Sequence, residues 1–139
     1  MKTNEPTPKS RRILCVEDNQ DTCEVVGFIF RDYTMVFAGT VKDAGPHIEN
    51  EEFDLYMLDN WLPDGSGIEL CKKIRQLKPD APIVFTSAVG MKNDVDAAMS
   101  AGADRYMLKP VEPDALRKVV KELLQQNVSH DARVTRLES

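Results

Sequence analysis

Five short apolar runs, four of them stopping at a polar or charged residue, constrain this chain more than any other feature of its sequence. They are Ile13–Val16, Tyr33–Ala38, Leu55–Leu58, Pro82–Thr86 and Tyr106–Leu108. Runs this short and continuous suit strands buried on both faces. Helical spacing fills the intervals. Val25, Val26, Ile29 and Phe30 follow the first run, with Asp21 or Thr22 as the expected cap. Thr40-Val41-Lys42-Asp43 opens a second helix to about residue 50, although Gly45-Pro46 weakens it. Pro63-Asp64-Gly65 is turn chemistry, and Ser66 with Glu69 makes a capping box for a helix whose stripe is Ile68, Cys71 and Ile74. Residues 92–101 form a fourth helix stopped by Gly102. Pro113 opens a fifth, with Leu116, Val119, Val120, Leu123 and Leu124 at helical spacing. Strand then helix, five times over, predicts an α/β fold: a doubly wound, five-stranded parallel sheet with helices on both faces.

The 139 residues fit one domain. The reading divides them into a flexible N-terminal arm (1–10), a folded domain (11–127) and a C-terminal tail or the start of a linker (128–139). A net charge of -5 argues against direct nucleic-acid binding, which wants a basic footprint. The short basic run Lys9, Arg11 and Arg12 reads as a solvated lead-in to the first strand. Cys15, Cys23 and Cys71 are odd in number and lack ligand spacing, so they are expected as buried thiols in a reducing compartment. His47 and His130 are far apart, with no zinc or triad pattern. No apolar stretch approaches the ~20 residues needed to span a bilayer. A cytoplasmic protein that does not engage membranes is expected.

Function is carried by the residues that end the runs. Glu17 and Asp18 follow the first strand, Asp59 the third, Ser87 the fourth and Lys109 the fifth. Singly, each is often only a solvated loop residue. Jointly, they fall at one end of successive strands. Ligands of open α/β sheets bind beyond the carboxyl ends of the strands, at the switch in strand order. With an order of 2-1-3-4-5, strands one and three flank that switch. Three carboxylates there repel one another unless a divalent cation neutralises part of the charge. All-oxygen donors favour magnesium or manganese. An aspartate is also a competent nucleophile toward phosphorus.

Four segments resemble the signature segments of response-regulator receiver domains. They are residues 13–19 (Ile-Leu-Cys-Val-Glu-Asp-Asn), residues 58–67 (Leu-Asp-Asn-Trp-Leu-Pro-Asp-Gly-Ser-Gly), Thr86-Ser87-Ala88, and residues 102–110 ending in Lys109-Pro110. Their order and spacing match over about residues 11–126. The resemblance implies the flavodoxin-like (βα)5 fold and a two-component signalling domain that accepts a phosphoryl group on Asp59 with Mg (or Mn). Asp18 matches a direct metal ligand, and Glu17 an acidic neighbour reaching the metal through water. Asn60 matches the residue whose backbone carbonyl completes the site. Ser87 matches the switch hydroxyl, Lys109 the lysine that pairs with the phosphoryl group, and Tyr106 the aromatic that turns with Ser87. A cis Lys109–Pro110 bond is implied too. The implied donor is a histidine kinase or phosphotransfer protein. The implied receiver of the signal is a downstream protein, an attached output domain or a second copy of the chain, meeting the surface of the fourth helix, fifth strand and fifth helix. Such a domain assists only its own phosphorylation and dephosphorylation.

Two other classes fit less well. A flavodoxin-like cofactor binder needs a phosphate cradle after the first strand, where Glu17-Asp18-Asn19 would repel phosphate. An aspartate-nucleophile phosphatase usually carries its nucleophile on the first strand, with a second Asp two positions on. Here Trp61 stands two after Asp59. Within the family, a receiver that only binds partners would not need the full acidic set and Lys109. Trp61 departs from the small or polar residue more familiar two positions after the acceptor, and Val89, two after Ser87, offers no polar group. Both are expected to lengthen the life of the phosphoryl group by denying attacking water a route or a polar guide.

Overall fold

The computed structural model of the protein describes residues 11–138, with side chains to residue 125. The proposed arm, with Lys9, lies outside the described residues, as does the side chain of His130. The elements run β1 (Arg12–Val16), α1 (Gln20–Ile29), β2 (Thr34–Ala38), α2 (Val41–Asn50), β3 (Leu55–Leu58), β4 (Trp61–Leu62), β5 (Gly65–Ser66), α3 (Gly67–Leu77), β6 (Ile83–Ser87), α4 (Lys92–Ala101), β7 (Arg105–Leu108) and α5 (Pro113–Glu138). Five parallel strands form one sheet in the order β2-β1-β3-β6-β7, which is the expected 2-1-3-4-5. The short β4–β5 hairpin stands apart from it.

Strand side chains alternate between two cores. Leu14, Val16, Tyr56, Leu58, Ile83 and Phe85 face one side, against Ala44 and Ile48 of α2, Leu70, Cys71 and Ile74 of α3, and Ala98 of α4. Ile13, Cys15, Leu55, Met57 and Val84 face the other, against Val26 and Ile29 of α1 and Leu116, Val120 and Leu123 of α5. Both faces of the central strands are thus covered, so continuous apolar runs replaced alternation. Among the described residues, no helix is long and apolar enough to cross a membrane.

Several local expectations need correction. The α1 cap is Asn19, whose Oδ1 accepts from the Thr22 N–H at 2.9 Å, rather than Asp21 or Thr22. Val25 lies on the outer face of α1, 55% exposed, while Val26, Ile29 and Phe30 are buried. Arg12 is no solvated lead-in: it opens β1, donates to the Glu52 carbonyl at 2.9 Å and covers the Phe53 ring at 4.7 Å. Cys15 and Cys71 are buried as expected, but Cys23 is only half-buried. Burial pushes the Cys71 thiol up to about 11 and raises Cys15 further still. Helix α5 runs on to Glu138, so the stretch expected as a tail or the start of a linker is helical through residue 138. Nothing after Pro113 in the sequence is Gly or Pro, so no residue stops it.

Other features behave as read. Thr40 caps α2 and the Ser66–Glu69 capping box is complete. Gly102 ends α4 at φ 114, a left-handed turn that only glycine takes cheaply. Arg75 closes this corner: it donates to the carbonyls of Pro79 (2.8 Å), Ala81 (2.7 Å) and Gly102 (2.5 Å), tying the end of α3 to the end of α4.

One buried atom is out of place energetically. The Tyr56 hydroxyl lies in the core with no hydrogen-bond partner, and burial raises its pKa to about 12. Removing an unsatisfied buried hydroxyl costs no bond. Tyr56→Phe is therefore expected to raise stability by about 1 kcal/mol, read as a higher urea midpoint at unchanged slope.

Candidate functional site

The carboxyl ends of β1, β3, β6 and β7 meet at one rim. Glu17 and Asp18 leave β1, and Asp59 and Asn60 leave β3. Ser87 is the last residue of β6, and Lys109 follows β7. Pairing of β1 with β3 brings Val16 beside Leu58, so the two acidic segments emerge together. Glu17, Asp18 and Asp59 each offer an oxygen within 4.8 Å of the others. Asp18 is exposed, while Glu17 and Asp59 are buried.

Lys109 binds the buried pair. Its Nζ lies 2.5 Å from Glu17 Oε1 and 3.0 Å from Asp59 Oδ2. Burial works against its charge, but the hydrogen bonds to Glu17 and Asp59 together with the charges of those two carboxylates outweigh it and raise its pKa above the ordinary 10.5. Glu17 moves up from its ordinary 4.5. Burial is the main cause, opposed by the Lys109 bond and by the Asn19 N–H, which donates to Oε2 at 3.0 Å. Three carboxylates against one ammonium leave a formal charge that one divalent cation balances. Every donor is a hard oxygen, which fits magnesium or manganese.

The other oxygen of Asp59 accepts from the Trp61 N–H at 3.2 Å. Trp61 itself is 60% exposed. The Asn60 carbonyl accepts from the Gly67 N–H at 3.0 Å, turned toward the start of α3. The Asn60 side chain also does something the sequence reading missed. Its Oδ1 accepts from Ser66 Oγ at 3.1 Å and its Nδ2 donates to the Tyr106 hydroxyl at 3.3 Å. Tyr106 donates in turn to the Val89 carbonyl at 2.5 Å, while its ring stacks on Phe85. Ser87 Oγ, fully buried, accepts from the Val89 N–H at 3.2 Å. The Lys109–Pro110 bond is cis.

Asp64 was also missed. Its carboxylate accepts from the Val41 and Lys42 N–H groups at 2.8 and 3.0 Å, fastening the hairpin tip to the N-terminus of α2. These bonds hold its pKa below the usual carboxylate range. In the sequence it was visible only as a turn residue.

The profile of the response regulator receiver domain matches residues 13–121. The alkaline phosphatase synthesis transcriptional regulatory protein PhoP of Bacillus subtilis is 32% identical over 85% of this chain and 50% of its own length. The response regulator protein PilR of Pseudomonas aeruginosa is 38% identical over 82% of this chain and 26% of its own. This chain thus spans half or less of those two relatives. A CheY-like receiver domain from Methanospirillum hungatei superposes with a TM-score of 0.83 at 32% identity, covering 86% of this chain and 98% of that one. The profile match runs from β1 into α5 and takes in the rim residues, and on it this chain is a member of the response regulator receiver domain family.

Proposed function

We propose that this domain accepts a phosphoryl group on Asp59, in a reaction dependent on Mg or Mn, and passes the change to a partner surface. The observation that carries this reading is the buried Asp59 carboxylate, held by Lys109 within reach of Glu17 and Asp18. An Asp59 oxygen attacks the donor's phosphorus. The bond from phosphorus to the leaving group breaks, and that group departs with its electron pair. A bound divalent cation would offset the charge on the phosphoryl oxygens. Lys109 pairs with one of those oxygens, and the Ser87 hydroxyl donates to another. The domain acts on itself alone, with a histidine kinase or phosphotransfer protein as donor.

Asp18 and Asp59 are the direct cation ligands in this reading, with Glu17 acting through water. For the backbone ligand, the resemblance pointed to Asn60. Its carbonyl is engaged by Gly67, however, and strand carbonyls alternate in direction. The Trp61 N–H faces the Asp59 carboxylate, so the Trp61 carbonyl faces the same side and is the better ligand.

The proposed output is a change in the face built by α4, β7 and α5. Met91, Met99 and Leu108 are exposed there, which suits a downstream protein, an attached output domain or a second copy. Ser87 drawn toward a phosphoryl oxygen would release the Val89 N–H and permit Tyr106 to turn, a population shift between two arrangements.

The test is intact-protein mass after incubation with a small acyl phosphate and Mg. A gain of one phosphoryl group, abolished by chelation, is expected. No gain with either metal contradicts the reading.

Two further outcomes follow at the same site. Glu17 must be deprotonated to hold a cation. Its folded pKa is raised, so the cation-free protein loses stability as pH climbs from 4.5 through that value, while cation affinity rises over the same window. The increase in Tm on adding Mg is expected to be small just above pH 4.5 and larger at neutral pH. Second, Trp61 follows Asp59 by two residues with its backbone N–H on the Asp59 carboxylate and its ring exposed, and the side chain of Val89 has no polar group. Trp61→Asn is expected to shorten the phosphoryl lifetime severalfold, measured by decay of the mass shift. A lifetime equal to or longer than that of the wild type argues that the ring merely packs or meets a partner.

A further inference from the structure

The cation reading asks two separate segments to hold one ion: the end of β1, with Glu17 and Asp18, and the end of β3, with Asp59 and Trp61. Both segments lie beyond Val16 and Leu58, the last residues paired between those strands. The junction of β2 with α2 touches both. On one side, the Glu17 N–H donates to the Ala38 carbonyl at 2.9 Å. A Cβ added at Gly39 would lie 3.9 Å from the Asp18 Cα and from the Glu17 carbonyl oxygen, so the junction passes against the acidic segment. On the other side, the Asp64 carboxylate accepts from the Val41 and Lys42 N–H groups, one on each oxygen. A Cβ at Gly65 would lie 3.1 Å from the Val41 side chain, so the hairpin after Asp59 rests directly on the start of the helix. Thr40 already caps α2 through the Asp43 N–H. Asp64 is a second hold on the same turn, and it is the one that reaches the hairpin.

We propose that Asp64 is a positioning residue for the cation site: by clamping the β4–β5 hairpin to the first turn of α2, it holds the Trp61 backbone in place opposite the acidic end of β1. This rests on the reading that a divalent cation is held between those two segments. The clamp is made of two charge-assisted hydrogen bonds at the positive end of a helix, where a carboxylate binds well even when exposed. Asp64 is not itself a ligand in that reading, so its effect reaches the cation through the backbone between Asp64 and Trp61. Coupling of this kind is reciprocal. A cation that orders the hairpin must also tighten the hold of Asp64 on α2.

The test compares the wild type with Asp64→Ala and Thr40→Ala, all unphosphorylated. Thr40→Ala removes a hydrogen bond from the same helical turn without freeing the hairpin. Mg is titrated while the amide NMR signals of residues 17–19 and 59–61 are followed, and hydrogen exchange at the Val41 and Lys42 amides is measured with and without Mg. Asp64→Ala is expected to weaken Mg binding about fivefold, the lower end of ordinary coupling between sites, and Thr40→Ala by less than about twofold. In the wild type, saturating Mg should slow exchange at Val41 and Lys42, and in Asp64→Ala that slowing should vanish. Unchanged Mg affinity in Asp64→Ala overturns the proposal. So does an equal loss in Thr40→Ala, which would mark a general effect of α2 stability, and so does wild-type exchange at Val41 and Lys42 that ignores Mg. Should Asp64→Ala fold poorly, Asp64→Asn, which keeps one acceptor oxygen, is read in the same way. A wild type that binds no Mg removes the cation reading. The fluorescence anisotropy of Trp61, the sole tryptophan, then decides the clamp: it should fall in Asp64→Ala and hold in Thr40→Ala, and an unchanged value in both overturns it.

Discussion

Asp59→Asn is expected to abolish phosphoryl acceptance while leaving the fold intact. The substitution is isosteric. It retains an oxygen for the Trp61 N–H but removes the anionic nucleophile and one of three carboxylates. Lys109 keeps Glu17 as its ion-pair partner, so its ammonium is not left buried alone. The stability change should therefore be modest. Loss of a covalent nucleophile is not a graded effect, since no neighbouring group can replace the attack geometry. Glu17 is tied by Lys109 and the Asn19 N–H, and Asp18 lies on the exposed side of the cluster. The check is intact-protein mass with a small acyl phosphate and Mg, alongside a urea titration of both proteins. Retained phosphorylation at a wild-type rate would assign the chemistry to another residue.

Gly67→Ala is expected to damage fold and site together. An added Cβ at Gly67 would lie 2.1 Å from the Asp59 carbonyl oxygen and 3.1 Å from the Phe85 ring. The first of these is backbone, so no rotamer change relieves it. Either α3 backs away or the end of β3 shifts, by roughly 1 Å, and displacements of that size cost about 100-fold in positioned chemistry. A loss of about 3 kcal/mol in stability is expected from the overpacking, with phosphorylation slowed at least tenfold in the protein that remains folded. Gly45→Ala is the control. Its Cβ would meet only the flexible end of Lys73 at 3.6 Å, so the ordinary preference of helices for alanine should leave stability equal or slightly higher. Urea midpoints for the two variants, with phosphorylation rates, separate a site effect from a general glycine effect.

The sheet was legible because burial on both faces writes strands as continuous apolar runs, and the residues ending those runs marked the rim. The cap at Asn19 was harder to see, because one residue both closes the acidic segment and caps α1. The outward position of Val25 shows that an apolar residue at helical spacing need not face the core. The β4–β5 hairpin escaped since two-residue strands have no period to read. The functions of Asp64, Arg75 and the Asn60 side chain depend on partners distant in sequence: Arg75 reaches Gly102, and Asn60 reaches Tyr106. No local pattern encodes such pairings. The clue available for Asn60 was a polar residue directly after a buried strand.

The most direct measurement of the central claim is to locate the phosphoryl group. After phosphorylation with a small acyl phosphate and Mg, borohydride reduction converts an aspartyl phosphate to homoserine, which peptide mass spectrometry places in the sequence. Homoserine at position 59 alone, absent when the metal is chelated, is the predicted result. Modification at Asp18 or another position, or no metal-dependent modification at all, would contradict it.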